Sequence, residues 1–208
     1  MTAIGLISDV HATPSPIKEA LTIFSQAGVE QVFCAGDIAG YGDQLEQSIA
    51  LLVSSGCQTI LGNHDLRYLD HHADDVNNVA VAFLDQLTTS MNMTIADKRV
   101  YMVHGRPPDD CHDGIKLLNN EGEVQSDRAT FWTEELKTLN CDVLVVGHTH
   151  QVFAEQVGDI LVVNPGSSAF NHSCAILSLP EMTVQVFPLS GKEIEKTWSW
   201  SDYMTGRG

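Results

Sequence analysis

Ala3-Ile4-Gly5-Leu6-Ile7-Ser8-Asp9-Val10-His11 carries an apolar strand straight into an acidic residue and a histidine two positions apart, and the rest of the chain repeats this arrangement. Behind Ser15 and Pro16, the residues Ile17, Ala20, Leu21 and Phe24 fall at helical spacing, and Gly28 closes that helix. Residues 31–35 read as a second strand. A helix bearing Leu45, Ile49, Leu52 and Val53 starts near Asp43, with Glu46 as capping-box partner, and residues 58–61 make a third strand. Val76, Val79, Ala80, Phe83, Leu84 and Leu87 form the most regular apolar stripe, which predicts a helix over 75–89. Strands dominate from there. Residues 93–96 and 100–103 flank Asp97-Lys98 as a hairpin, and a helix carries Ala129, Trp132, Leu136 and Leu139. Strands follow over 142–146, 151–157, 160–163, 174–179 and 183–187, with Gly158-Asp159 as a hairpin turn. Strand-helix units first and mostly antiparallel strands later predict an α/β (α+β) fold, a four-layer α-β-β-α sandwich of two mixed β-sheets flanked by helices. The length of 208 residues suits one domain over 1–208, with 197–208 losing periodicity as a loosely packed tail.

Composition narrows the function. Apolar residues make up 43% and mean hydropathy is -0.03, which is ordinary for a globular chain and excludes wholesale disorder. No apolar run approaches the roughly 20 residues that span a bilayer. Eleven basic residues against 27 acidic give a formal charge of -16, which argues against long nucleic acid as a partner. The same charge repels anionic substrates, so a phosphate would need local neutralisation by something other than side chains, which points to bound metal. Five scattered cysteines without a Cys-x-x-Cys read as reduced, mostly buried thiols, and the start of the chain lacks a signal-peptide pattern, so a cytoplasmic location is expected.

The metal-capable residues recur at strand ends. Asp9-Val10-His11 follows the first strand, Gly36-Asp37 the second, and Gly62-Asn63-His64-Asp65 the third; His104-Gly105 follows the later hairpin, and Gly147-His148-Thr149-His150 the strand ending at Val146. Ligands of open α/β sheets bind outside the carboxyl ends of strands, so these loops can meet on one rim. Asp-x-His and His-x-His in extended backbone aim both members of each pair the same way, with Val10 and Thr149 pointing elsewhere. The glycines at 36, 62, 105 and 147 permit tight turns or close approaches. Carboxylate, imidazole and one amide, without thiolate, suit Mn, Fe, Co, Ni or Zn, with manganese favoured, and there are enough ligands for two ions. His71, His72, His112 and His172 lack this context and read as solvated residues.

The ordered set Asp9-x-His11, Gly36-Asp37, Gly62-Asn63-His64-Asp65, His104-Gly105 and Gly147-His148-x-His150 resembles the calcineurin-like metallophosphoesterase superfamily, over residues 3 to about 188. The segment from Gly36 to Gly42, the short length and Asn164-Pro165-Gly166-Ser167 resemble its small prokaryotic phosphodiesterase-like branch. The resemblance implies that Asp9, His11, Asp37 and His150 hold one ion, that Asp37, Asn63, His104 and His148 hold a second, and that Asp37 bridges. It further implies attack on phosphorus by a metal-bridging hydroxide, with His64 protonating the leaving oxygen. The protein-phosphatase branch carries Gly-Asp-x-x-Asp-Arg-Gly, whereas Gly40 and Tyr41 stand at the Asp and Arg positions here. A dianionic monoester gains more than a diester from that missing cationic clamp, so small or nucleotide-like phosphodiesters are the expected substrates. A phosphomonoesterase or protein phosphatase is the alternative, and a noncatalytic scaffold a third, though a scaffold is expected to lose His64. Arg67 and Arg106 could replace part of the clamp, but surface salt bridging is the favoured reading of both. Substrate recognition is expected in loops at 66–74 and 106–126.

Overall fold

Period-two alternation assigns each strand's side chains to a layer. In β1 (Thr2–Ile7), Ile4 and Leu6 enter the apolar cluster between two sheets while Ile7 faces the opposite way. In a computed structural model that describes residues 1–75 and 77–199, the first sheet has the order β10-β9-β1-β2-β3 and the second β4-β5-β6-β8-β7. The first holds β2 (Gln31–Cys34), β3 (Gln58–Thr59), β9 (Ser173–Leu179) and β10 (Thr183–Pro188) beside β1. The second is built from β4 (Ser90–Ile95), β5 (Lys98–Val103), β6 (Val143–Val145), β7 (Val152–Val157) and β8 (Ile160–Pro165). Val100 and Met102 of β5, and Val143 and Val145 of β6, face the first sheet; Tyr101, Val103 and Leu144 face outward.

Helices α1 (Pro14–Gln26), α2 (Leu45–Ser54) and α4 (Val79–Leu84) cover the outer face of the first sheet through Ile17, Phe24, Ile49, Leu52, Ala80 and Leu84. Helix α5 (Ser126–Leu136) covers the second sheet with Trp132 and Leu136, assisted by Ile115, Leu117 and Leu118 of the preceding loop. The four-layer sandwich is thus as the sequence predicts. Strands β1, β2 and β3 run parallel, as do β5, β6 and β8, so the later half is less antiparallel than expected. No helix among the described residues is long and apolar enough to cross a membrane.

Several boundaries differ. The helix expected over 75–89 is only α4, because Asn78 Oδ1 accepts from the Ala80 and Val81 amides and starts the helix there. After Leu84 the chain tightens into short turns, and the Thr88 carbonyl accepts from Leu61 N. Val76 lies outside the described residues. Helix α2 starts at Leu45 after Gln44 without a side-chain cap, so the expected cap at Asp43 with Glu46 does not form. The β4–β5 turn is Ala96-Asp97, both at positive φ, one residue earlier than expected. Residues 66–71, expected as loop, belong to helix α3 (Asn63–His71), a polar helix with only Asp65 buried, so no apolar stripe announces it. At the far end, Thr197 bridges Gln151 and the Trp198 amide donates to the His150 carbonyl; residues 200–208 of the expected tail lie outside the described residues.

Candidate metal centre

Five loops leave the parallel strands of both sheets and meet on one rim. The Asp9, His11 and Ala12 amides donate to the Gly36, Asp37 and Ile38 carbonyls, stitching the loops after β1 and β2 together. Gly147 N donates to the His104 carbonyl and joins the loops after β5 and β6. The aiming device is not extended backbone, as the sequence suggested. Asp9, His11, Asp37, His148 and His150 all have positive φ, between 47° and 64°, a left-handed conformation that costs non-glycine residues free energy and persists only where surroundings enforce it. Val10 nonetheless enters the core and Thr149 Oγ1 donates to the Ile115 carbonyl, so both point away from the rim. Gly62 and Gly147 serve close approach: a Cβ on Gly62 would collide with the Asp37 carboxylate, and one on Gly147 with Ser8 Oγ.

All eight predicted residues gather there. Asp9 is fully buried; its Oδ2 accepts from Ser8 Oγ at 2.6 Å and from His148 N at 3.1 Å. Its Oδ1 has no hydrogen-bond partner and faces His150 Nε2 at 3.2 Å and His11 Nε2 at 3.9 Å. Those two nitrogens lie 3.1 Å apart. His11 Nδ1 donates to the Ala39 carbonyl, which leaves a lone pair on Nε2 when the ring is neutral. His104 is fixed likewise: Nδ1 donates to the Ala35 carbonyl at 2.7 Å, and Nε2 faces Asp37 Oδ2 at 3.3 Å and Asn63 Oδ1 at 3.2 Å. His148 Nδ1 is 2.9 Å from the same Asn63 oxygen. Lone pairs therefore converge on two neighbouring points, one inside Asp9, His11 and His150, the other inside Asp37, Asn63, His104 and His148. Buried acceptors facing one another require a proton or a cation between them. The donor set fits divalent metal.

The protonation equilibria show the same need. Burial works against charge on His104, but Asp37 beside it raises the imidazole to about 10. Asp37 is held low by His104 against the opposing effect of burial, and Asp9 is held low chiefly by His150. Burial pushes His11 down to about 4 and lowers His148 as well. His64 sits beside both points, its backbone amide donating to Asp37 Oδ1 at 2.8 Å and its ring 5.0 Å from that of His11 and 4.8 Å from that of Tyr41. A His64 nitrogen is also within 4.8 Å of His11 and Asp37 ligand atoms, so geometry alone leaves it eligible as a ligand.

Other residues of the site carry weaker sequence signals. Asp65 is buried; its Oδ1 accepts from Ala39 N at 2.7 Å and its Oδ2 from Gly62 N at 2.9 Å, tying the loop after β2 to the start of α3. Burial, then Asp37, pushes its carboxyl up to about 7. Ser167 Oγ donates to the Asp9 carbonyl at 2.7 Å. Phe170 and Trp198 stack with ring centres 4.4 Å apart beside His150, and Lys116 lines the 300 Å³ pocket over the rim. No residue spacing near Lys116, Phe170 or Trp198 marks them. His71, His72, His112 and His172 join neither point; His71 and His72 bond through Nδ1 to their own helix backbone. Arg106 pairs with Asp110 and Asp113 at 3.1 and 3.0 Å, as expected, but Arg67 forms no ion pair among the described residues, contrary to expectation.

Such a rim on such a sandwich belongs to the metal-dependent phosphoester hydrolases, and comparison with known proteins makes the family definite. The chain belongs to the calcineurin-like phosphoesterase superfamily, whose domain it matches over residues 2–181. It is 25% identical over 167 residues to phosphodiesterase MJ0936 of Methanocaldococcus jannaschii, covering 78% of this chain and 82% of that one. Phosphodiesterase YfcE of Escherichia coli strain K12 is 26% identical over 168 residues, covering 80% and 79%. Among solved structures, hypothetical protein PH1004 of Pyrococcus horikoshii OT3 superposes with a TM-score of 0.72 at 16% identity, covering 94% and 90% of the two chains. The small prokaryotic phosphodiesterase-like branch is therefore where the chain's similarities lie.

Proposed function

We propose that this protein is a dinuclear metal-dependent phosphodiesterase of small or nucleotide-like diesters. The observation that carries the proposal is the position of Asp37, whose carboxylate lies within 4.8 Å of ligand atoms of His11, at the point also bordered by Asp9 and His150, and of His104, at the point also bordered by Asn63 and His148; shared in this way it would hold both ions. Divalent ions held there, manganese first among Mn, Fe, Co, Ni and Zn, would supply Lewis acidity and lower the pKa of water. In hydrolysis, oxygen from water bonds to phosphorus, the bond from phosphorus to the leaving oxygen breaks, and His64 gives that oxygen a proton. Asp65 and Ser167 position the loops. Tyr41 stands where the clamp arginine of protein phosphatases would be and packs against His11 and His64, so the site offers a second phosphoryl charge no cation at that position. With a formal charge of -16, the chain is also a poor match for long nucleic acid. A cytoplasmic setting agrees with free cysteines at all five positions.

The test is a panel of aryl phosphodiesters and matching monoesters assayed after chelation and after return of single metals. Higher kcat/KM on the diester supports the reading. A monoester preference of tenfold or more would replace it with the phosphatase alternative, and inactivity with every metal would favour a scaffold.

A further inference from the structure

The protein has 27 acidic residues for 11 basic ones, yet Arg67 has no carboxylate within 4.0 Å among the described residues. Its contrast with Arg106, which holds two carboxylates, is direct. Arg67 lies on α3 one turn beyond His64, and residues three apart on a helix share a face. A second groove of about 350 Å³ opens on that face, lined by Tyr41, His64, Arg67, Tyr68, His71 and His72. It shares Tyr41 and His64 with the pocket over the metal rim, so the two are continuous at the residue that protonates the leaving oxygen. Tyr68 and His72 are stacked at 4.1 Å with 19° between their planes, and Asn78 Nδ2 donates to the Tyr68 hydroxyl at 3.0 Å, which fixes that wall. Tyr41, 47% exposed, lines the groove as well.

We infer that this groove is the leaving-group subsite, and that Arg67 selects diesters whose departing group carries a further anionic group such as a second phosphate. The inference rests on the phosphodiesterase reading. The departing oxygen must lie at His64, so the group attached to it extends along α3, where the aromatic walls admit a planar moiety and the guanidinium meets an anion. A planar guanidinium without a carboxylate pairs bidentately with phosphate. The chain thereby holds a charge near the reacting centre without the clamp of the phosphatases, one helical turn farther out and on the departing side.

The test compares 4-nitrophenyl methyl phosphate with two relatives, one bearing a phosphonomethyl group on the departing ring, the other bearing a phosphonate on the retained alkyl group. The metal-loaded chain should prefer the first relative over the unsubstituted parent by about tenfold in kcat/KM, the scale of one charge-assisted contact. R67Q should collapse that ratio toward one, R67K should keep only part of it because an ammonium restores the charge without the bidentate fork, and R67E should invert it. An unchanged ratio in R67Q, or a preference for the phosphonate on the retained side, overturns the assignment. If the unsubstituted parent is hydrolysed and no such discrimination exists, only this inference falls; if no diester is hydrolysed with any metal, the phosphodiesterase reading falls and this inference with it.

Discussion

Asp142 and the carboxylates of the rim solve one electrostatic problem in opposite ways. Asp142, just before β6, keeps its cation permanently: Oδ2 accepts from Arg99 N at 2.7 Å and Nε at 3.0 Å, and Oδ1 from Arg99 Nη2 at 2.8 Å. The pair is partly exposed and completed within the chain. Asp9 and Asp37 are buried, Asp9 raises the proton affinity of Asp37, and among the described residues the titratable side chains that balance them are imidazoles. A chain that can satisfy a carboxylate with arginine at its surface leaves Asp9 and Asp37 in its interior without an arginine or lysine ion pair among the described residues. Burying charge in that way is expensive unless a counter-charge arrives. Compensation from outside the chain is what separates the two regions, and removing it should affect only one of them.

The largest effect is expected at the residue shared by both points. Asp37→Ala should lower occupancy of both ions and reduce kcat/KM by on the order of 10³ or more, since the ions supply the chemistry's charge stabilisation. Metal analysis of the purified variant decides it: two ions per chain with normal activity would remove the bridging role. His64→Ala should come next, with metal content retained and turnover lowered by roughly 10²–10⁴, the scale for a positioned acid-base group. The defect should shrink on nitrophenyl esters, whose leaving groups need less protonation. Loss of an ion in this variant would instead make His64 a ligand, as its distance to His11 and Asp37 allows.

The same contrast explains how much was legible in advance. The layers could be read because strands such as β1, β5 and β6 alternate apolar residues between two cores, and periodicity survives in sequence. The eight rim residues could be read because they follow strands, and six of them, all but Asp9 and His11, fall in motifs that carry a glycine. The backbone that aims them could not, since nothing in Asp-x-His announces left-handed φ at both positions. Helix α3 was hidden by its polarity, and α4 was shortened by Asn78 capping inside an unbroken apolar stripe. Phe170, three residues beyond Asn164-Pro165-Gly166-Ser167, and Trp198, far from any motif, reach the rim only through tertiary folding.

Chelation offers an intermediate effect. An ion that binds only the folded chain stabilises it by about 2.7 kcal/mol at one hundred times its Kd. For a chain of this size that is about 5–10 °C in Tm. Thermal scans with and without chelator should show a drop of this order in the wild type and a much smaller one in Asp37→Ala. Equal drops in both would detach thermal stability from Asp37-dependent metal binding.

Asp142→Asn should give the smallest effect, and its pH dependence is what sharpens the comparison. The Arg99 side chain and backbone hold the Asp142 carboxyl well below the usual carboxylate range. A depressed folded-state pKa contributes stability that is present above the unfolded value of 3.8 and is lost as pH falls toward the folded value. The variant should therefore melt slightly below the wild type at neutral pH, by a few degrees at most, because exposed pairs contribute little and an asparagine oxygen can still accept from Arg99 N. The gap should close in acid, narrow in high salt, and be the same with or without metal. A gap that widened on chelation would mean that Asp142 is coupled to the rim, and the division between a self-compensated surface and a metal-compensated interior would fail.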